Sequence, residues 1–322
     1  MEQFDDCPAT ALRWHREGIG AVLATVVQTW GSAPRRVGAQ MVVSGDCQMQ
    51  GSVSGGCVEG AVLLEAQEAL ETGEMRLLEY GVSNDDAFAV GLACGGTIRV
   101  LVEPIGSVLS EKILDQVVAA RAERTAMAYE VNVKTGARQV LKTGFAQRFR
   151  MDSSGFEEDG ENFVAIHNPP LRLIVVGAVH IAQALVPMAR IAGYDPLIID
   201  PRGAFGSEER FPGEKIIADW PDDAIAGIGL DARTALVLLT HDPKLDDPAL
   251  HAALASEVFY IGALGSKRTH AARVARLSDA GFEASRIDRI CGPVGLDIGA
   301  AGPAEIAVSI LAQMVQTLRM AP

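Results

Sequence analysis

Leu171 to Arg202 reads LRLIVVGAVHIAQALVPMARIAGYDPLIIDPR. An apolar run, Leu173 to Val176, ends at Gly177, and a stretch with helical spacing and small residues follows. A second apolar run, Pro196 to Ile199, closes on Asp200. Strand, tight turn, helix, strand and acidic tip, in that order, open a dinucleotide-binding βαβ unit. Asp200 falls about 20 residues past the glycine, where the fingerprint expects an acceptor for a ribose 2′-hydroxyl. The turn departs from the pattern. Gly177-Ala178-Val179-His180 sets a branched side chain where the backbone would have to approach a pyrophosphate. The fold is indicated strongly, and ordinary NAD(P) binding is disfavoured.

Outward from this unit, apolar strands fit at 171–176, 196–199, 215–218, 235–240, 258–263 and about 287–291, with helical segments between them. Such alternation predicts a Rossmann-like, doubly wound parallel sheet over residues 169–322. Ligands of these sheets lie outside the carboxyl ends of the strands. Here those ends carry Gly177 to His180, Asp200-Pro201-Arg202, Asp219, Thr240-His241-Asp242, Gly262 to Arg268 and Gly292-Pro293. If the first and fourth strands are neighbours, His180 and His241 share one crevice, as proton-transfer groups, metal ligands or hydrogen-bonding clamps. The plain alternative is two solvated histidines. Gly265-Ser266 can feed a helix N-terminus, an anion-binding arrangement.

Residues 1–168 read as an α+β domain, with Asn168-Pro169-Pro170 as linker. A helix is expected over 5–19, strands over 21–28 and 39–43, and a glycine- and proline-bearing loop from Thr29 to Arg36. A second loop, Gly51 to Gly56, precedes a helix beginning at or near Cys57 and running to Leu70. Cys94-Gly95-Gly96 precedes a strand, Thr97 to Glu103; Leu109 to Ala122 reads as a helix and 126–166 as irregular strands.

In Gly-Ser-Val-Ser-Gly-Gly-Cys, residues 51–57, the backbone of Ser54, Gly55 and Gly56 can approach an anion closely. Cys57 at a helix start would favour its thiolate; the alternative is a small buried cysteine in a tight turn. Cys94 stands in a similar but poorer setting, and Cys7, Cys47 and Cys291 read as structural. No cysteine pair has zinc-site spacing, so no structural metal is expected. Arg35 and Arg36 offer guanidinium forks for phosphate or carboxylate, or form only a solvated basic turn.

The chain has 322 residues, 48% of them hydrophobic, and a formal charge of −13, with a pI near 4.9. That is enough apolar material for two cores, and the charge argues against nucleic acid and anionic membranes as partners. Met1 to Asp6 is acidic rather than signal-like, and no apolar run approaches the ~18 residues of a membrane span. Five cysteines without paired spacing fit a reducing cytoplasm.

Taken in order, these stretches resemble the XdhC/CoxI family of molybdenum-hydroxylase maturation factors. The matching motifs are Gly31 to Arg35, Gly51 to Glu59, Gly177 to His180, Asp200 to Arg202, Thr240 to Asp242, Gly262 to Ser266, Pro293 to Gly299 and Pro303 to Ile310. Ser54 stands where the family often has glycine, and Val179 replaces the second glycine of the turn. The resemblance implies a non-catalytic chaperone that holds the molybdenum cofactor, as molybdopterin or its cytosine dinucleotide. It further implies sulfuration with a cysteine desulfurase, and delivery to a xanthine-dehydrogenase or CO-dehydrogenase-like apoenzyme. On this reading Arg35, Ser54, Gly55, Gly56, Cys57, Cys94, Gly177, His180, Asp200, Arg202, His241, Gly265 and Ser266 bind the cofactor, across the two domains and as a homodimer. Cys57 would touch its molybdenum or sulfur. An NAD(P)-dependent oxidoreductase using His180 or His241 is the competing expectation.

Overall fold

The structure, a computed structural model, describes residues 6–31, 35–81 and 96–320. The chain divides into two compact units, Met1–Pro169 and Pro170–Pro322.

The first unit opens with α1 (Cys7–Arg16), capped by the Asp6 side chain, which accepts from Ala9 N, with Pro8 in its first turn. β1 (Ala21–Trp30), β2 (Gln40–Ser44) and β3 (Met49–Gly51) follow, then α2 (Glu59–Thr72), β4 (Arg76–Tyr80) and β5 (Thr97–Pro104). These five strands form an antiparallel sheet in the order β3-β2-β1-β5-β4. The apolar run of β1, interrupted only by the buried Thr25 between Ala21 and Val27, has a packing reason: both faces of the strand are covered. Val22, Ala24 and Val26 join Val62, Ala66 and Ala69 of α2 in one core. Ala21, Leu23 and Val27 turn to the other side, with Ala11, Leu12 and Trp14 of α1.

After α3 (Glu111–Ala122), whose N-cap is Ser110, come β6 (Met127–Asn132), β7 (Arg138–Leu141), α4 (Ala146–Met151), β8 (Gly155–Phe156) and β9 (Asn162–His167). They contribute a second antiparallel sheet, ordered β7-β6-β9-β8. Strands were expected throughout 126–166. The short helix α4 departs from that because it buries no side chain and so leaves no apolar periodicity to read.

The second unit comprises β10 (Leu171–Val176), α5 (His180–Ile191), β11 (Tyr194–Ile199), β12 (Ile216–Ile217), α6 (Pro221–Ile228), β13 (Thr234–Leu238), α7 (Pro243–Leu254), β14 (Tyr260–Ala263), α8 (Lys267–Asp279), α9 (Ala284–Ile287), β15 (Ile290–Cys291) and α10 (Pro303–Met320). Its sheet is parallel, ordered β12-β11-β10-β13-β14-β15, the doubly wound Rossmann arrangement. The strands alternate between two cores. Leu173 and Val175 pack with Leu185 of α5 and with Ala307, Ile310, Met314 and Leu318 of α10. Ile174 and Val176 pack with Ile225 of α6 and Leu250 of α7. β10 and β13, the first and fourth strands of the unit, are hydrogen-bonded neighbours, as a crevice shared by their tips requires. No helix of the described residues is long and apolar enough to cross a membrane.

Candidate functional site

In the first unit the glycine loop closes on the chain's own carboxylate. Glu59 Oε1 accepts from Ser52 Oγ at 2.6 Å, from Ser54 N at 2.9 Å, from Gly55 N at 3.0 Å and from Val53 N at 3.2 Å. Its Oε2 accepts from Gly56 N at 2.9 Å and from Ser54 Oγ. Burial alone would raise the pKa of Glu59, but the Ser52 and Ser54 hydroxyls and the loop amides outweigh it and hold the acid at about 2. Ser54, itself buried, accepts from Cys57 N at 3.0 Å and Val58 N at 2.9 Å. The amides expected to cradle a foreign anion are therefore occupied by Glu59.

α2, expected to begin at or near Cys57, begins at Glu59, because the two residues before it are held by Ser54 and not by the helix. Cys57 is half-buried just ahead of the helix. Gly55 and Gly56 are exposed with φ of 81° and 114°, and none of the described residues lies within 4 Å of where a Cβ on Gly56 would stand. Arg35 joins the loop: its Nε donates to Ser52 O at 3.3 Å while the side chain remains exposed. The structure thus brings Arg35 to the Ser54–Cys57 loop. Cys94, with Ser32 to Pro34, lies outside the described residues.

In the second unit, the turn after β10 is shaped by Gly177, at φ 108°. A Cβ there would stand 2.7 Å from Thr240 Cγ2, so the tips of β10 and β13 touch at this glycine. Asp200 is not free for a ribose. Its buried carboxylate accepts from Ala178 N at 2.8 Å, from Arg202 N at 3.0 Å, from Arg202 Nε at 2.9 Å and from Arg202 Nη2 at 2.8 Å. Burial raises its pKa, but the Arg202 fork and the Ala178 amide hold it below the ordinary carboxylate value. The Arg202 guanidinium lies 4.1 Å over the Phe205 ring, and Arg210 lies 5.8 Å from the same ring. Arg210 Nη1 also donates to Ala178 O at 2.9 Å.

His180, expected in the turn, is the first residue of α5 and is exposed. His241 is exposed in a left-handed conformation, φ 62°, directly before Asp242, the N-cap of α7. Ser266 is the N-cap of α8 and accepts from Thr269 N; Gly265 precedes it at φ 144°. Two of these turns share buried support. Thr240 Oγ1 donates to Asp246 Oδ1, Arg273 Nη2 stands 3.8 Å from Asp246 Oδ2, and Arg273 Nη2 donates to Leu264 O at 3.0 Å. Burial pushes the Asp246 pKa up and the Arg273 pKa down. Among the described residues no three His, Cys, Asp or Glu side chains converge to hold a metal ion.

Glu59, Asp246, Arg273, Phe205 and Arg210 were not singled out from the sequence as site residues. Glu59 carried one usable hint, an acid immediately after a glycine-rich loop. The other four lie in helices or loops where nothing in the spacing marks them.

Comparison with known proteins adds an independent line. Residues 173–314 match the XdhC Rossmann domain, and residues 14–81 match the XdhC and CoxI family. The chain is 34% identical over 297 residues to the molybdenum cofactor insertion chaperone PaoD of Escherichia coli (strain K12), covering 92% of this chain and 83% of that protein. It is 29% identical over 316 residues to a probable xanthine dehydrogenase subunit of Bacillus subtilis (strain 168), covering 92% and 93%. A solved structure described as a xanthine dehydrogenase from Bacillus halodurans superposes with a TM-score of 0.75 at 27% identity, covering 99% of this chain and 97% of that one.

Proposed function

Because the chain belongs to the XdhC and CoxI family, we propose that it carries the molybdenum cofactor as cargo and inserts it into a molybdenum-hydroxylase apoenzyme. The observation that carries this reading is the similarity to a cofactor insertion chaperone, which spans nearly the whole chain. The client is of the xanthine dehydrogenase or CO dehydrogenase type, and a cysteine desulfurase supplies the sulfur ligand. The chain works as a cytoplasmic homodimer without turnover of its own.

The cargo is a molybdenum–dithiolene pterin bearing a phosphate, as molybdopterin or its cytosine dinucleotide. Such a ligand would approach the exposed backbone of Gly55 and Gly56. With the loop amides bonded to Glu59, the grip on its anionic group falls to Arg35, and Cys57 presents a thiol to its sulfur side. Ser54 acts from inside, fixing the backbone of Cys57. Cys94 is assigned to the same ligand on its sequence context alone. In the second unit Gly177, His180, Asp200, Arg202, His241, Gly265 and Ser266 form the carboxyl edge that binds the remainder of a cofactor or its nucleotide. The occupied Asp200 carboxylate counts against an NAD-dependent oxidoreductase, since an unphosphorylated ribose finds no free acceptor there.

The chain purified from cells that make the cofactor should release a fluorescent oxidised pterin on acid and iodine treatment. It should also raise the activity recovered from a molybdenum-hydroxylase apoenzyme. Absence of both pterin and stimulation would sink the proposal.

A further inference from the structure

The Rossmann arrangement places the tip of its second strand where a nucleotide's ribose is read. In this chain that tip is β11, and its acid is fully engaged by Ala178 N and by Arg202. Nε and one Nη2 proton of Arg202 are spent on Asp200. A guanidinium has five N–H groups, so three remain, two of them side by side on the end edge formed by Nη1 and Nη2. No other hydrogen bond of the Arg202 side chain occurs among the described residues. The group is neither buried nor free to wander. One face lies on Phe205, the carboxylate clamps its inner edge, and its side chain is 36% exposed. Phe205 is itself 40% exposed, and Arg210 approaches the same ring while tied to Ala178 O.

We propose that the end of β11 reads a phosphomonoester carried on a nucleotide's ribose, through the outer edge of Arg202, with Asp200 as the anchor of that guanidinium and not as an acceptor for a ribose hydroxyl. A planar fork held in place on its inner edge loses little freedom when its outer edge takes two phosphate oxygens. A bare ribose diol, by contrast, meets donors only, and the acceptor it would pair with is already saturated. Charge alone does not make the site. Asp242 and Asp246 lie near enough to act on Arg202, so selection rests on the fork's geometry, and affinity should fall only modestly with added salt.

Titration calorimetry on the full chain, with adenosine 2′-monophosphate, adenosine and inorganic phosphate as probes, tests the proposal. The 2′-monophosphate should bind roughly 10–100-fold more tightly than adenosine, the span expected for charge-assisted hydrogen bonds of about 1.5–3 kcal/mol. It should also bind more tightly than inorganic phosphate. Arg202→Lys, which keeps the charge and loses the fork, should lower the ratio of the two nucleoside affinities about tenfold, as loss of one such bond would. Asp200→Asn should erode the same ratio by loosening the fork. A purely structural role for Arg202 would shift melting temperature and leave the ratio unchanged. Equal affinities for the two nucleosides, no binding of either, a ratio unmoved by Arg202→Lys, or inorganic phosphate binding as tightly as the nucleotide would each overturn the proposal. It shares Asp200 and Arg202 with the cofactor reading but fails separately: a chain that retains molybdenum cofactor yet ignores the 2′-phosphate overturns this inference alone.

Discussion

Glu59 holds its loop by accepting from both serine hydroxyls and four amides. Glu59→Gln replaces one oxygen by a donor and sets it against donors. The expected cost is about 1–3 kcal/mol, the desolvation penalty of groups left unpaired, moderated because Gly55 and Gly56 can turn to water. The sign with pH follows from the acid's depressed value of about 2. A carboxyl whose folded pKa lies below its unfolded value of about 4.3 contributes stability that is complete above that value and fades as pH falls toward 2. Thermal melts of parent and variant should therefore differ most near neutrality and converge toward pH 2; a constant gap would contradict the assignment. Cys57→Ala should behave differently. Only the Cys57 amide bonds to Ser54, and alanine keeps that amide, so melting temperature should hold while cofactor retention falls. At this scale the sequence was only half legible. The glycine loop and Asp200 were visible by letter, but an acid that serves its own backbone is written the same way as one that awaits a ligand.

The helices α7 and α8 meet through Asp246 and Arg273, both 2% exposed, and the pair braces the turns at Thr240 and Leu264. Removing one partner of a buried ion pair costs about 3–5 kcal/mol when the remaining charge cannot be discharged. The two ends differ in this respect. Burial already favours the protonated form of Asp246, so Arg273→Met leaves an acid that can take up a proton and still bond Thr240. Asp246→Ala leaves a guanidinium that cannot shed its charge, with two of its nitrogens, Nε and Nη1, already without hydrogen-bond partners. Denaturant melts should show Asp246→Ala to be the more destabilising by about 1–2 kcal/mol, within the range of that penalty. The Arg273→Met chain should also lose stability as pH rises, since its Asp246 must then ionise unpaired; equal losses at both positions would contradict this account. The strands around these helices were legible because burial on both faces makes near-continuous apolar runs. α4 was not, having no buried face, and neither was the Asp246–Arg273 brace, whose members are 27 residues apart on different helices.

Each unit owns its cores: the apolar clusters of the first unit draw only on residues up to Ala165, and those of the second only on residues from Leu171 onward. Fragments 1–169 and 170–322 should therefore each unfold cooperatively when expressed alone, as circular dichroism melts would show. The same division fixes where ligand selectivity must reside. Asp200, Arg202, Phe205, Arg210 and Ala178 all lie in the second unit, and the hydrogen bonds of the Arg202 fork and its Asp200 anchor stay within it. Fragment 170–322 should thus reproduce the full chain's preference for adenosine 2′-monophosphate over adenosine within about twofold, a difference of roughly 0.4 kcal/mol. Fragment 1–169 should show none. A folded 170–322 without the preference, beside a full chain that has it, would mean that groups outside this unit complete the reading of the phosphate, and Arg202 would then be a contributor and not the reader.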